Sequence, residues 1–220
     1  MSRSAVIISD VHLGSAYCCL AEFLDFMRNL PPEADLVLNG DVVDRWHHKL
    51  PPEHEVGLDA LRRESHHRRV VWVRGNHDDG YVLENPEKVA FAGAFNLGRD
   101  LYAAHGYDFD NILTHHRLFV RFFRAMHHLR LRLGAEPVHV AYYAKKFRPL
   151  YNVLRRHVAA NAVEFAVENG YAAVTCGHTH YAEDLTQRGV RYVNTGSWTE
   201  KPICYLEVNE QAMTLKEAFT

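Results

Sequence analysis

Five times along this chain a short apolar run of β type ends in a small polar cluster of Asp, His or Asn, four of the five with a glycine alongside. The clusters are Asp10-Val-His12, Gly40-Asp41-Val-Val-Asp44, Gly75-Asn76-His77-Asp78, His105-Gly106 and Gly177-His178-Thr-His180. Each places a side chain able to bind a metal just past the carboxyl end of a strand. In open α/β sheets that edge is where sites form. The glycines let the backbone turn sharply there without a Cβ clash. Such a repeated arrangement restricts the chain to an α/β architecture with its chemistry on one edge.

The intervening runs agree. Ala5–Ser9, Leu36–Asn39, Val70–Arg74, Leu101–His105, Ala172–Cys176 and Val190–Asn194 predict strands. Leu20–Asn29, Val56–His67 and Ala159–Asn169 carry apolar residues at helical spacing, and the last of these stops at Gly170. Ile203–Val208 and Ala212–Ala218 predict a closing hairpin that turns at Asn209–Glu210.

A length of 220 residues fits one domain carrying a substantial insertion. The stretch from about 112 to 160 is that insertion. It holds ten Lys or Arg residues and one acid, Glu136. Leu118, Phe119, Phe122, Phe123, Tyr142, Tyr143, Phe147, Leu150 and Tyr151 recur at helical spacing within it, which predicts amphipathic helices joined near 134–137. These helices serve either as a basic solvated face on core packing or as a cap for an anionic, partly apolar ligand. The net charge of −2 argues against a protein built to coat nucleic acid. No apolar run reaches the ~20 residues needed to cross a bilayer. No CxxC pair occurs among Cys18, Cys19, Cys176 and Cys204, and no secretory signal precedes the first strand. Free thiols in a reducing cytoplasm are the expectation. The chain has 16 histidines, and pairs such as His47–His48, His66–His67 and His127–His128 are expected on the surface.

Asp, His and Asn without Cys suit divalent ions such as Mn²⁺, Fe²⁺ or Zn²⁺. A structural zinc site would more often use thiolates and four ligands. Seven candidates are present: Asp10, His12, Asp41, Asn76, His105, His178 and His180. That is too many for one tetrahedral ion and enough for two if a carboxylate bridges them. Two ions roughly 3.5–4 Å apart can polarise a phosphoryl group and activate a hydroxide nucleophile.

The five clusters, in this order, resemble those of the calcineurin-like metallophosphoesterases, and the resemblance covers most of the chain. It implies a four-layer α/β/β/α sandwich with an inserted helical cap. It implies one ion on Asp10, His12, Asp41 and His180, and a second on Asp41, Asn76, His105 and His178, with Asp41 bridging. It also implies that His77 stands near the leaving group as general acid or charge stabiliser, oriented by Asp44. Asp78 is expected to be structural, turning its loop.

Four stretches, SDVHLGS (9–15), GDVVDRW (40–46), HGYDFD (105–110) and YVNTGSWTE (192–200), are similar to the UDP-2,3-diacylglucosamine hydrolase group. That finer resemblance implies hydrolysis of the pyrophosphate of a nucleotide-linked lipid, with the insert receiving acyl chains. Arg148, Arg155 and Arg156 are candidates to bind the diphosphate, and Phe119, Phe122, Phe123 and Tyr143 to form apolar walls. The basic amphipathic insert suits peripheral contact with an anionic membrane. One departure matters: members of that group carry arginine after the asparagine ligand, and this chain has His77. A cyclic nucleotide phosphodiesterase, a phosphoprotein phosphatase and a nuclease are the rival enzymatic readings. A binding module with a vestigial metal site is the non-enzymatic one.

Overall fold

Strands β1 (Ala5–Ile8), β2 (Asp35–Asn39), β3 (Val70–Val73) and β4 (Val89–Ala92) lie side by side in parallel. Every residue of β1 is buried, because the sheet is covered on both faces. Val6 and Ile8 point to one side, where they join Leu36, Leu38, Val70 and Trp72 against helices α1 (Leu20–Arg28) and α2 (Pro52–Glu64). Ala5 and Ile7 point to the other side, into a core shared with Val37, Val71 and Val73. Two more strands, β10 (Cys204–Val208) and β11 (Met213–Glu217), extend the sheet antiparallel beyond β1.

A second sheet has the order β5-β6-β7-β9-β8, with β5 at Phe95–Leu97, β6 at Leu101–Ala103, β7 at Ala173–Cys176, β8 at Glu183–Gln187 and β9 at Val190–Asn194. Phe95, Leu101, Ala103, Ala173 and Val193 from this sheet complete the core between the sheets. Its outer face presents Val174, Cys176, Val190 and Tyr192 to Ala159, Ala162, Val163 and Ala166. Those four small residues belong to one long helix that begins at Arg148 and ends at Asn169. The layers are therefore helix, sheet, sheet, helix, the α/β/β/α order expected from the sequence. This computed structural model describes residues 4–112, 117–135 and 137–219, and the side chains of 117–120 and 122–124 lie outside it. The expected apolar wall of Phe119, Phe122 and Phe123 falls in that gap.

The insertion comprises α3 (Arg117–Arg132), α4 (Val140–Lys145) and the amino-terminal half of α5 (Arg148–Asn169). Apolar spacing in the sequence predicts this last helix only from Ala159 onward. It starts eleven residues earlier because Pro149 sits in its first turn, where a missing N–H costs nothing. Cap and core thus share one rigid helix. Its end is as expected: Gly170 adopts φ +70 and its N–H reaches back to Ala166 and Val167. Three short strands, β4, β5 and β8, were not anticipated. Strand β8 has the sequence EDLTQ at a sheet edge, where polar residues are tolerated and apolar alternation disappears. His127 also departs from the surface reading, since it is 5% exposed and packs on Tyr143 at 5.2 Å. No helix among the described residues is long and apolar enough to cross a membrane.

Candidate metal centre

All five clusters meet at the carboxyl ends of the central strands of both sheets. The backbone there is unusual. Asp10, His12, Asp41, His178 and His180 have φ between 53 and 63, in the left-handed region. Asp and His enter that region more readily than most residues, yet it still costs energy unless the surroundings enforce it. Here the enforcement is visible. Asp10 N–H donates to Gly40 O at 3.0 Å, and His12 N–H to Asp41 O at 2.9 Å. Trp198, buried between Phe23 and Phe26, donates its N–H to Asp10 O at 3.0 Å. Asn194 donates from Nδ2 to Gly177 O at 2.7 Å, and Asn39 from Nδ2 to Ala104 O at 3.0 Å. The YVNTGSW stretch thus anchors the first and last clusters to each other.

The glycines are spacers for the site itself. A Cβ on Gly75 would lie 2.2 Å from Asp41 Oδ1, one on Gly177 would lie 2.2 Å from Asp10 Oδ2, and one on Gly40 would lie 2.4 Å from the His105 ring.

The structure gathers the first expected ligand set closely. His12 Nε2 and His180 Nε2 face each other at 3.2 Å. Asp10 Oδ1 is 3.2 Å from His180 Nε2, and Asp41 Oδ2 is 3.9 Å from His12 Nε2. Donors bound to one ion at about 2.1 Å sit roughly 3.0–3.4 Å apart, so His12, His180 and Asp10 have the spacing of a shared cation, with Asp41 standing farther off. The second set arrives as two pairs. Asp41 Oδ2 is 3.2 Å from His105 Nε2, and the Asn76 amide oxygen is 3.0 Å from His178 Nδ1. The rings of His105 and His178 join the pairs at a centroid distance of 5.5 Å. His105 Nε2 is buried and faces the Asp41 carboxylate, its ion-pair partner in the metal-free protein.

Asp41 is central by distance and charge. Its Oδ1 accepts the His77 N–H at 2.8 Å, leaving Oδ2 among His12, His77 and His105. Burial opposes its ionisation, but His105, His77 and His12 outweigh this and hold the carboxyl well below the usual range. Burial likewise opposes ionisation of Asp10, and His180 and His105 still lower it to about 2. His105 responds in kind: burial works against its charge, while Asp41 and Asp10 raise it to about 10. In the metal-free protein, protons on histidine balance the two carboxylates. A divalent ion must displace them, so the site is electrostatically prepared for cations.

Three of the four histidines are oriented through their other nitrogen, as metal ligands commonly are, while His180 Nδ1 is buried without a hydrogen-bond partner among the described residues. His12 donates from Nδ1 to Asp44 Oδ1 at 3.1 Å, and His105 from Nδ1 to Asn39 O at 2.9 Å. His178 donates from Nε2 to Asp110 Oδ2 at 2.8 Å. These contacts revise the role expected of Asp44. His77 Nδ1 does bond to Asp44, but to its backbone carbonyl at 2.7 Å, with the carboxylate 3.8 Å away. The carboxylate serves His12 instead. His77 Nε2 lies 4.0 Å from Asp41 Oδ2, and the side chain is about one-third exposed. Asp78 lies fully buried beneath. It accepts N–H donations from Gly75 and Val42, each at 2.7 Å, and from Trp72 Nε1 at 3.0 Å.

Sequence reasoning missed Asp110 and His139. Asp110 is 2% exposed and belongs to the quoted HGYDFD stretch, so its position was in view but not its role. His139 lies in the insertion, yet its ring stacks on His180 at 5.2 Å and lies 5.3 Å from His12. Burial first, then the neighbouring His180 and His12, lower its pKa to about 2, so the ring stays neutral.

A cleft of about 900 Å³ opens beside His77 and Asn76, between the loop 44–51 and the insertion. Arg45, Trp46 and Lys49 line one wall; His127, Leu131 and His139 line the other. Arg148, Arg155 and Arg156 do not line it. Arg155 pairs with Glu183 and lies over the Tyr181 ring at 4.4 Å, which ties α5 to β8. The cations that line the cleft are Arg45 and Lys49, and Lys145 donates to the carbonyl oxygen of His180.

Among curated proteins, the chain is 24% identical to the DNA polymerase II small subunit of Pyrococcus abyssi across 88% of its own length. It spans 36% of that larger protein. Among solved structures, Vacuolar Protein Sorting 29 from Cryptosporidium parvum superposes with a TM-score of 0.52 at 11% identity, covering 97% of this chain and 95% of the other. The Chaetomium thermophilum counterpart gives 0.51 at 14% identity, covering 97% and 87%. At such identities these likenesses speak to the fold, the same layered sandwich. A family model described as calcineurin-like phosphoesterase matches residues 4–182, the span that holds all five clusters, and the chain therefore belongs to that family of metal-dependent hydrolases.

Proposed function

We propose that the protein hydrolyses the pyrophosphate of UDP-2,3-diacylglucosamine or a related nucleotide-linked lipid, using two divalent ions, Mn²⁺ first, with Fe²⁺ or Zn²⁺ as alternatives. Asp10, His12, Asp41 and His180 would hold one ion, and Asp41, Asn76, His105 and His178 the other. When bound, such a pair supplies Lewis acidity to the phosphoryl group and lowers the pKa of water. The observation that carries the reading is the cleft. It is large, it adjoins the proposed metal ligands, and it is walled on one side by the insertion. Trp46, 52% exposed, offers an apolar face, and Arg45 and Lys49 offer cations for a diphosphate.

His77 has the placement a leaving-group acid needs. Its Nδ1 proton is fixed on the Asp44 carbonyl, so Nε2 is the atom that exchanges a proton at the cleft. Exposed Leu129, Leu133, Phe147, Leu150 and Val153, interspersed with Lys and Arg, support peripheral contact with an anionic membrane where a lipid substrate resides.

A second reading follows from the similarity to a DNA polymerase subunit: the scissile group would be a nucleic-acid phosphodiester. The test is a screen of UDP-linked lipids, CDP-linked lipids, cyclic nucleotides and single-stranded DNA with Mn²⁺, read by product mass. Release of UMP and a lipid phosphate from the UDP-linked lipid supports the proposal. Turnover of DNA or cyclic nucleotides alone replaces it.

A further inference from the structure

The insertion closes on the fifth cluster where it rejoins the core. Ahead of the insertion, buried Asp110 accepts the Nε2–H of His178 at 2.8 Å. Where the insertion returns, His139 caps α4 by accepting the Ala141 N–H at 3.3 Å, and its ring stacks on His180 with an interplanar angle of 12°. Further along, Lys145 donates to the His180 carbonyl oxygen and pairs with Glu200. The hydroxyl of Tyr151, a residue 6% exposed, donates to the Thr179 carbonyl oxygen.

We propose that the insertion is the positioning element for the last metal cluster, so that the ion on the His12–His180 side is bound tightly only while the insertion is docked. This rests on the dinuclear reading above. The argument is one of enforcement. His178 and His180 both hold left-handed backbones, at φ 63 and 56. Such residues persist only where neighbours over-determine them. From the sheet side the loop receives Asn194, which reaches Gly177 O and Thr179 Oγ1. The carbonyls of Thr179 and His180 are held instead by Tyr151 and Lys145, both from the insertion. Release of those carbonyls frees the turn, and the His180 ring swings away from Asp10 and His12. His178 is steadied separately by Asp110 and Asn76, so its ion should be less affected. Tyr151 and Lys145 are therefore positioning residues; neither reaches the ion.

The test uses the full chain with Tyr151→Phe and, separately, Lys145→Met. Mn²⁺ binding is followed by the free-ion signal in electron paramagnetic resonance, and the metal-free proteins are melted in parallel. Outer partners of metal ligands are commonly worth about 10–100-fold in affinity. The expected result is one of two sites weakened by about tenfold or more, the other at its wild-type affinity, and metal-free melting close to wild type. Wild-type affinity at both sites in both variants overturns the proposal. Equal weakening of both sites with a lowered metal-free melting temperature overturns it too, as that is general destabilisation. A wild-type isotherm with a single ion refutes the dinuclear reading instead, and unchanged affinity for that ion in both variants overturns the positioning role.

Discussion

Gly75→Ala separates the needs of the metal site from those of the turn. Gly75 does not have a positive φ, so alanine meets no backbone objection there. The objection is spatial: its Cβ would lie 2.2 Å from Asp41 Oδ1 and 2.4 Å from the Asp41 nitrogen. Carbon and oxygen in contact sit about 3.3 Å apart, so Asp41 must retreat by about 1 Å. A change of rotamer cannot relieve the clash with the backbone nitrogen. Overpacking of this kind costs about 1–3 kcal/mol, and a 1 Å misplacement of a reacting group costs on the order of 100-fold in rate. Gly170→Ala is the comparison. Gly170 has φ +70 and nothing near its missing Cβ, so the change costs about 1–2 kcal/mol in backbone strain alone. The assay pairs urea unfolding with Mn²⁺ titration and turnover of an activated phosphodiester. Both variants should lose similar stability, and only Gly75→Ala should lose metal affinity and activity. Wild-type Mn²⁺ affinity in Gly75→Ala would refute the central placement of Asp41.

Asp41→Ala should remove both ions, which metal analysis of the desalted protein checks; near wild-type content would contradict the bridge. His77→Ala should retain its metals and slow hydrolysis by about 10²–10⁴ with poor leaving groups and far less with good ones, as general acid loss does. An equal slowing for both would count against the acid role. Asp78→Ala should strand the N–H groups of Val42, Gly75 and Trp72 that the carboxylate now accepts. At about 1–3 kcal/mol for each orphaned donor, the loss should be on the order of 3 kcal/mol or more in urea melts.

The layers and the convergence of the clusters were legible because both arise from local rules. A buried strand reads as a continuous apolar run, and a ligand after it reads as a residue type at a strand end. Long-range roles carry no such mark. Nothing in HGYDFD says that its last Asp will reach His178, 68 positions on. His139 sits among the insertion's other histidines and differs from them only in where the chain folds it. Asp44 shows a subtler limit. Its pairing with His77 was anticipated, but the carbonyl, which every residue possesses, made that bond and freed the carboxylate for His12. Edge strand β8 escaped notice because an edge needs no apolar alternation. Arg148, Arg155 and Arg156 are candidates by charge alone, and charge does not say which face of α5 a residue occupies.

The left-handed ligands have an evolutionary corollary. Glycine at position 10, 12, 41, 178 or 180 would relax the backbone by removing the Cβ conflict, and would delete a ligand in the same stroke. At these five places thermostability and metal capture pull in opposite directions. Laboratory selection for heat resistance in chelator should therefore drift toward glycine there and yield robust, inert proteins. Repeating the selection in Mn²⁺ should keep every one of the five side chains.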